Sequence, residues 1–180
     1  MARFLNTTTL AWRDDDGTGA ARDGELTNPD LSAVEAVPSK YWKVASGSVV
    51  EMGSEEKAVV DAAELDAVKS AKIAAIDART PVLLAQGVLV NGVSISCSLA
   101  AQHNLNALTV GLLIGRTQFP RGISTTSGGE HVVEDQAEFN RVSGLVWNRV
   151  TSVLDQGRSL RLQVLAATTL GEVDSVEDSR

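Results

Sequence analysis

The longest stretch of this chain without glycine or proline, residues 54–80, constrains the fold more than any other feature. Alanine, the best helix former, is abundant in it. Ser54 can cap a first turn, and the carboxylates of Glu55 and Glu56 suit the positive end of the helix dipole. We therefore predict one helix of about 25 residues, roughly 38 Å long, that ends before Pro81.

Apolar residues form only a narrow stripe along this helix. Six aliphatic side chains share about one half of the helical wheel, namely Val59, Val60, Leu65, Val68, Ile73 and Ile76. A long helix with so thin an apolar face is hard to stabilise alone, and association with copies of the chain is the simplest way to bury it. We expect oligomerisation through Val60, Leu65, Val68, Ile73 and Ile76. Packing of the helix within one chain is the alternative.

Residues 1–40 show no sustained apolar period, and two turn-rich clusters at residues 14–19 and 27–30 interrupt them. Such a segment is typical of an extended arm that becomes ordered on another surface. Its isolated apolar side chains are the expected docking anchors. These are Phe4, Leu5, Leu10, Trp12, Leu26 and Leu31.

Short alternating segments predict three β-hairpins. Residues 41–53 hold one around a Ser-Gly turn. The strongest hairpin pattern surrounds Asn91 and Gly92, because Asn-Gly adopts the positive φ angles of a tight turn. A third hairpin is expected to end at residues 131–133.

Two further helices are predicted after the second hairpin. Ser98 can cap the first, which runs to Gly115, and Asp135 with Glu138 can open the second as a capping box. A polar tail, residues 172–180, is expected to follow. The apolar face of the last helix comprises Phe139, Val142, Val146, Val150, Val153, Leu160 and Val164.

These elements predict an α+β, helix-dominated chain. Four segments are expected: an extended arm (1–40), a small β-hairpin (41–53), a long coiled-coil-like helix (54–80) and a compact C-terminal domain of hairpins and helices (87–175).

No motif points to catalysis or to a cofactor. The single cysteine, Cys97, could approach His103, but nothing in the sequence orients the histidine, so a cysteine nucleophile is disfavoured. Residues 14–16 lack the alternating ligands and the distal glutamate of a calcium loop. Trp147 is expected at the edge of the core or at an interface. We predict no enzyme activity, no metal and no cofactor.

Charge and hydropathy exclude further classes of protein. The net charge of −7 disfavours a binder of nucleic acid or of anionic membranes, which needs a basic surface. No apolar run approaches the length of a membrane span. No apolar segment typical of a secretory signal follows Arg3, so synthesis in a cytoplasm is expected.

Two stretches resemble bacteriophage virion proteins. Residues 41–57, beginning Tyr-Trp-Lys-Val and continuing to Glu-Glu-Lys, are similar to a module of phage tail-fibre proteins in which a short hairpin precedes a helix rich in Ala and Glu. Residues 87–173 resemble a small domain near the C-termini of phage fibre proteins. The matching motifs are Leu89 to Ile95 and Leu165-Ala166-Ala167-Thr168 with Glu172-Val173.

The resemblance implies a non-enzymatic virion protein made in the host cytoplasm. It implies most simply a short trimeric tail or baseplate fibre, attached to other virion proteins through residues 1–40. A fibre-assembly chaperone absent from the mature virion, and a head fibre or decoration protein, are the alternatives. A glycan-cleaving enzyme is disfavoured, because aromatic residues make up only 4% of the chain.

Overall fold

The computed structural model describes residues 2–15 and 19–180. The chain divides into two compact units, residues 1–66 and residues 67–180, and one helix runs through the boundary. Helices and short antiparallel strands are both present, so the predicted α+β class is confirmed at this level. The predicted division into four segments differs from these two units.

The first unit begins with a three-stranded antiparallel sheet. Its strands are β1 (Arg3–Asn6), β2 (Trp12–Asp14) and β3 (Glu25–Thr27), in the order β2-β1-β3. Residues 1–40 are therefore not the extended arm that the sequence predicts. The strands are only three or four residues long, too short to show an apolar period, and β3 pairs with β1 across about twenty intervening residues.

A single-turn 3₁₀ helix, Ser39–Tyr41, leads into the predicted hairpin of β4 (Trp42–Ala45) and β5 (Ser48–Glu51). Ser46 and Gly47 adopt positive φ angles of 51° and 77° in its turn, which confirms this prediction. The hairpin shares one apolar core with residues of the sheet segment. The core consists of Leu5, Val34 and Val49, with Leu10, Leu26, Leu31, Val37, Trp42 and Val44 packed around it.

Helix α1 runs from Ser54 to Ala85 and includes Pro81, so the prediction that proline ends it is wrong. A proline removes one backbone donor, and here this occurs only in the last two turns. Two residues after the end of the helix, Gly87 adopts a φ of 72°, which is accessible to glycine, and its N–H donates to the carbonyl of Leu84. At the other end, the Glu56 carboxylate accepts the N–H of Gly53 at 2.8 Å and satisfies a donor at the helix start.

The second unit contains two hairpins and three helices besides the end of α1. The elements are β6 (Val88–Val90), β7 (Val93–Ile95), α2 (Leu99–Leu113), β8 (Arg121–Ser124), β9 (Glu130–Val133), α3 (Gln136–Ala166) and α4 (Leu170–Ser175). Both predicted hairpins are present, with Asn91 and Gly92 at φ 48° and 82°. A bridge between Ile95 and Thr125 connects them.

The predicted face of α3 forms the core of the second unit. Six of the seven residues predicted for this face are buried, and the seventh, Leu160, is half-buried. Asp135 accepts the N–H of Glu138 at 2.8 Å, as the capping prediction requires. The main cluster unites this face with the hairpins and α2 through Val90, Ile95, Cys97, Leu105, Ile123, Val133, Phe139, Val142, Val146 and Val150.

Residues 172–180 are not the polar tail that the sequence predicts. Thr169 and Glu172 form a capping box that opens α4, and the side chains of Val173 and Val176 are buried. Two apolar residues among charged ones are too few to reveal this short helix by periodicity.

Candidate functional site

The predicted attachment residues do not form one exposed surface. Phe4 and Leu5 are fully buried on β1. Leu10, Leu26 and Leu31 pack around the core of their own unit, so these residues are structural rather than free anchors. The remaining one is Trp12, which is 37% exposed and lies under the guanidinium of Arg3 at 4.6 Å from the ring centroid.

An arginine–glutamate pair joins β2 to β3 behind this surface. Arg13 donates to Glu25 from Nε at 3.0 Å and from Nη2 at 2.6 Å, and its guanidinium lies 4.3 Å from the Phe4 ring centroid. The Arg13 hydrogen bonds, with the backbone N–H of Arg22, lower the pKa of Glu25 to about 2. The pair ties the two outer strands across the sheet.

A charged network fixes the segment before β4 on the first turns of α1. The Tyr41 hydroxyl donates to Asp61 Oδ1 at 2.6 Å, and Lys40 Nζ contacts Asp61 at 2.9 Å and Glu64 at 2.7 Å. These contacts lower the pKa of Asp61, with the tyrosine hydrogen bond as the largest cause, and raise that of Lys40. Lys43 pairs with Glu56 in the same way. Tyr41 and Lys43 of the Tyr-Trp-Lys motif thus contact α1 through the polar groups at the ends of their side chains.

The residues predicted to oligomerise differ in exposure. Ile76 of α1 is only 2% exposed, because its side chain is buried within its own unit. It is therefore not available to another chain. Val60, Leu65, Val68 and Ile73 are half-buried. This outcome favours, at Ile76, the alternative of packing within one chain.

A different apolar surface is exposed in the second unit. Leu99, Val110 and Leu113 of α2, and Ile114 directly after it, are each between 55% and 81% exposed. On α3, Leu154, Leu162 and Leu165 are each at least half exposed. Large apolar side chains that stay this exposed are typical of interaction surfaces. The sequence could have indicated the α2 surface, because apolar residues occur on every side of that helix.

The candidate catalytic and metal residues are not arranged for chemistry. Cys97 is fully buried, and desolvation raises the pKa of its thiol, which disfavours the reactive thiolate. His103 is exposed on α2. Within residues 2–15 and 19–180, no group of three metal-ligating side chains comes together. Asp16 of the candidate calcium loop lies outside the described residues.

One nearly enclosed charged group was missed by sequence reasoning. The Arg180 side chain, 3% exposed, lies over Gly157 of α3 and donates to the carbonyl of Val153 at 3.1 Å and to that of Ile76 on α1 at 2.9 Å. Asp178 accepts from its Nε and Nη2 at 2.8 and 2.7 Å. We call this arrangement the Arg180 seat. It connects α1, α3 and the segment after α4.

A cleft lies between α2 and α3, with a volume of about 250 Å³. Its walls contain Trp147, which is 57% exposed, and its floor contains the buried Leu105 and Val146. The remaining lining residues are Gln102, Asn106, Thr109, Ser143 and Gly144. A cleft with apolar walls and a few polar groups is the usual form of a site for a small ligand.

Comparisons with protein-family models, with curated proteins and with solved structures found no match to this chain. None of the helices in the described residues is both long enough and apolar enough to span a membrane.

Proposed function

We propose that this chain is a non-enzymatic structural protein of a bacteriophage virion, most simply a short trimeric tail or baseplate fibre. The supporting observation is the apolar surface of α2 and α3, which a single chain leaves in contact with water. The motifs at residues 41–57 and 87–173 support the virion role through their resemblance to phage fibre proteins. The number three comes from that resemblance alone.

The proposed interface is tested by introducing charge into it. Leu113→Lys places a cation on the exposed surface of α2, close to the helix C-terminus, where a cation is compatible with the helix dipole. In a symmetric oligomer the lysines of all copies approach one another, so light scattering should show a lower mass. Leu89→Lys, at a position in β6 that is 70% exposed against 81% for Leu113, is the matched control and should keep the wild-type mass. Equal masses for both variants would contradict this interface.

The first unit replaces the extended arm as the proposed attachment element. Trp12, with Arg3 above it, is the exposed aromatic surface of the first unit. Trp12→Ala should therefore reduce binding of the purified protein to phage particles assembled without this protein. Trp147→Ala, in the second unit, should leave binding unchanged. Unchanged binding by both variants would contradict attachment through Trp12.

Mass spectrometry of purified particles tests the virion role. The proposal expects the chain at a stoichiometry divisible by three. Its absence from mature particles would contradict the fibre and favour the fibre-assembly chaperone. Immunogold labelling of heads instead of tails would favour a head fibre or decoration protein.

A further inference from the structure

Three glycines lie in the interior of the two central helices of the second unit, and two of them have an evident reason. A side chain at Gly111 of α2 would collide with Thr117, and one at Gly157 of α3 would collide with Arg180. Gly144 of α3 differs, because a Cβ there would meet open space. Glycine weakens a helix interior relative to alanine. Nothing within the described residues requires its small size at position 144.

Gly144 lines the cleft between α2 and α3. A glycine at this place keeps the backbone of α3 accessible to a molecule that enters from outside. Gly144 therefore combines two features: no neighbouring atom of the chain explains its small size, and it lines a cleft.

The lining of the cleft combines apolar and uncharged polar residues and carries no charge. Charged residues make up 22% of the chain, yet none of the eight lining residues is charged. A charged ligand would lose its hydration in this cleft without gaining an ionic partner. The lining therefore favours a neutral ligand.

The polar groups of the cleft supply both donors and acceptors. The Gln102 amide donates to the carbonyl of Cys97 at 2.8 Å, which holds its plane and leaves Oε1 to accept. The hydroxyl of Thr109 donates to Leu105 at 2.9 Å and can accept from a ligand. The Ser143 hydroxyl is shielded from solvent without a partner among the described residues, and rotation about its Cα–Cβ bond can turn it toward the cleft. Alcohol groups pair with donors and acceptors of this kind.

Trp147 supplies the apolar surface beside these groups. Its side chain is 57% exposed, a large fraction for a residue type that is highly buried on average. The face of an indole ring carries negative charge density, which suits the C–H groups on one face of a saturated ring. A molecule with an apolar face and a rim of hydroxyls matches both parts of the lining.

We propose that the cleft between α2 and α3 binds one neutral sugar ring, with Trp147 as the stacking platform and Gln102, Asn106 and Thr109 as hydrogen-bonding partners. A volume of about 250 Å³ suits a single ring better than an extended chain. The site goes beyond the structural role proposed above and does not depend on it.

The test uses the full chain and a panel of neutral sugars: glucose, galactose, mannose, N-acetylglucosamine and their β-linked disaccharides. Tryptophan fluorescence and ¹H–¹⁵N NMR report binding at concentrations up to about 50 mM, above the millimolar Kd expected of one stacked ring. At least one sugar should shift the indole resonance of Trp147 and not that of Trp12. Absence of binding by every member of the panel would overturn the proposal.

Two glycine variants provide the matched comparison. Gly144→Gln fills the cleft from a position where an added Cβ meets no atom of the chain, so the fold should be retained and sugar affinity should fall at least tenfold. Gly171→Gln in α4, which also faces open space but lies outside the cleft, should bind as the wild type does. Equal affinity in the two variants would overturn the proposal. A reduced oligomer mass for Gly144→Gln without any sugar binding would instead make the cleft an interface between copies.

Discussion

Replacement of Gly157 by alanine should destabilise the protein, although alanine is the better helix residue. The change itself favours α3 by about 1 kcal/mol. At this position, however, the new methyl group would collide with Nη1 of Arg180, so the guanidinium would have to move from its place. The sign of the effect therefore depends on the Arg180 seat.

The structure allows an estimate of the opposing cost. Displacement of Arg180 breaks a nearly buried ion pair with Asp178, and such losses cost about 3–5 kcal/mol when the remaining charge stays buried. Asp178 is at the surface edge, 14% exposed, and Arg79 lies 3.8 Å away, so we take about 3 kcal/mol. The carbonyls of Ile76 and Val153 lie inside helices and add little. The net change for Gly157→Ala is about 2 kcal/mol of destabilisation, or roughly 4–8 °C in Tm.

Thermal unfolding followed by circular dichroism measures this change, and Gly144→Ala is its control. The control makes the same substitution in the same helix where a Cβ meets nothing, so Tm should rise by roughly 2–4 °C. In an Arg180→Ala background, Gly157→Ala should also become stabilising. A Tm for Gly157→Ala at or above the wild-type value in the native background would refute the account of the seat.

Three further predictions concern individual residues. The fold favours the ionised form of Glu25, since the pKa of Glu25 is about 2 against an ordinary 4.5. Its contribution to the stability of the folded protein is therefore complete above pH 4.5 and is lost as the pH falls toward 2. Glu25→Gln should flatten that part of a curve of unfolding free energy against pH. Gly87→Ala should cost at least about 2 kcal/mol in chemical unfolding, since φ is 72° and the methyl group would collide with the carbonyl of Ile95; a cost below about 0.5 kcal/mol would contradict this. Tyr41→Phe should raise the pKa of Asp61 in an NMR titration, because the lost hydrogen bond is the largest cause of its lowering, and an unchanged pKa would argue against that bond in solution.

Local sequence patterns predicted the elements whose information is local. The Asn91-Gly92 and Ser46-Gly47 turns, the Ser98 and Asp135 caps and the buried face of α3 each depend on residues a few positions apart. The same patterns were misleading at Pro81, because a proline near the end of a helix costs the helix only one of its last backbone hydrogen bonds.

Features that depend on distant partners were not predictable in this way. Phe4 and Leu5 are apolar residues in a polar segment, as docking anchors would be. Only the pairing of β1 with β3 shows that they are buried core residues. Arg180 lies in a polar sequence but contacts residues about a hundred positions away on α1. The cleft likewise arises where α2 and α3 meet, although the placement of Trp147 at the edge of the core or at an interface agrees with its exposed position.

The mass of the full-length protein in solution tests the central claim most directly, and light scattering after size exclusion measures it without assumptions about shape. The exposed apolar side chains of α2 and α3 predict association, and the resemblance to phage fibre proteins sets the expected number of copies at three. We therefore expect a trimer of about 57 kDa, three times the chain mass of 19.0 kDa, that persists on dilution into the low micromolar range. A monodisperse species of 19.0 kDa at every concentration would contradict the oligomeric structural role.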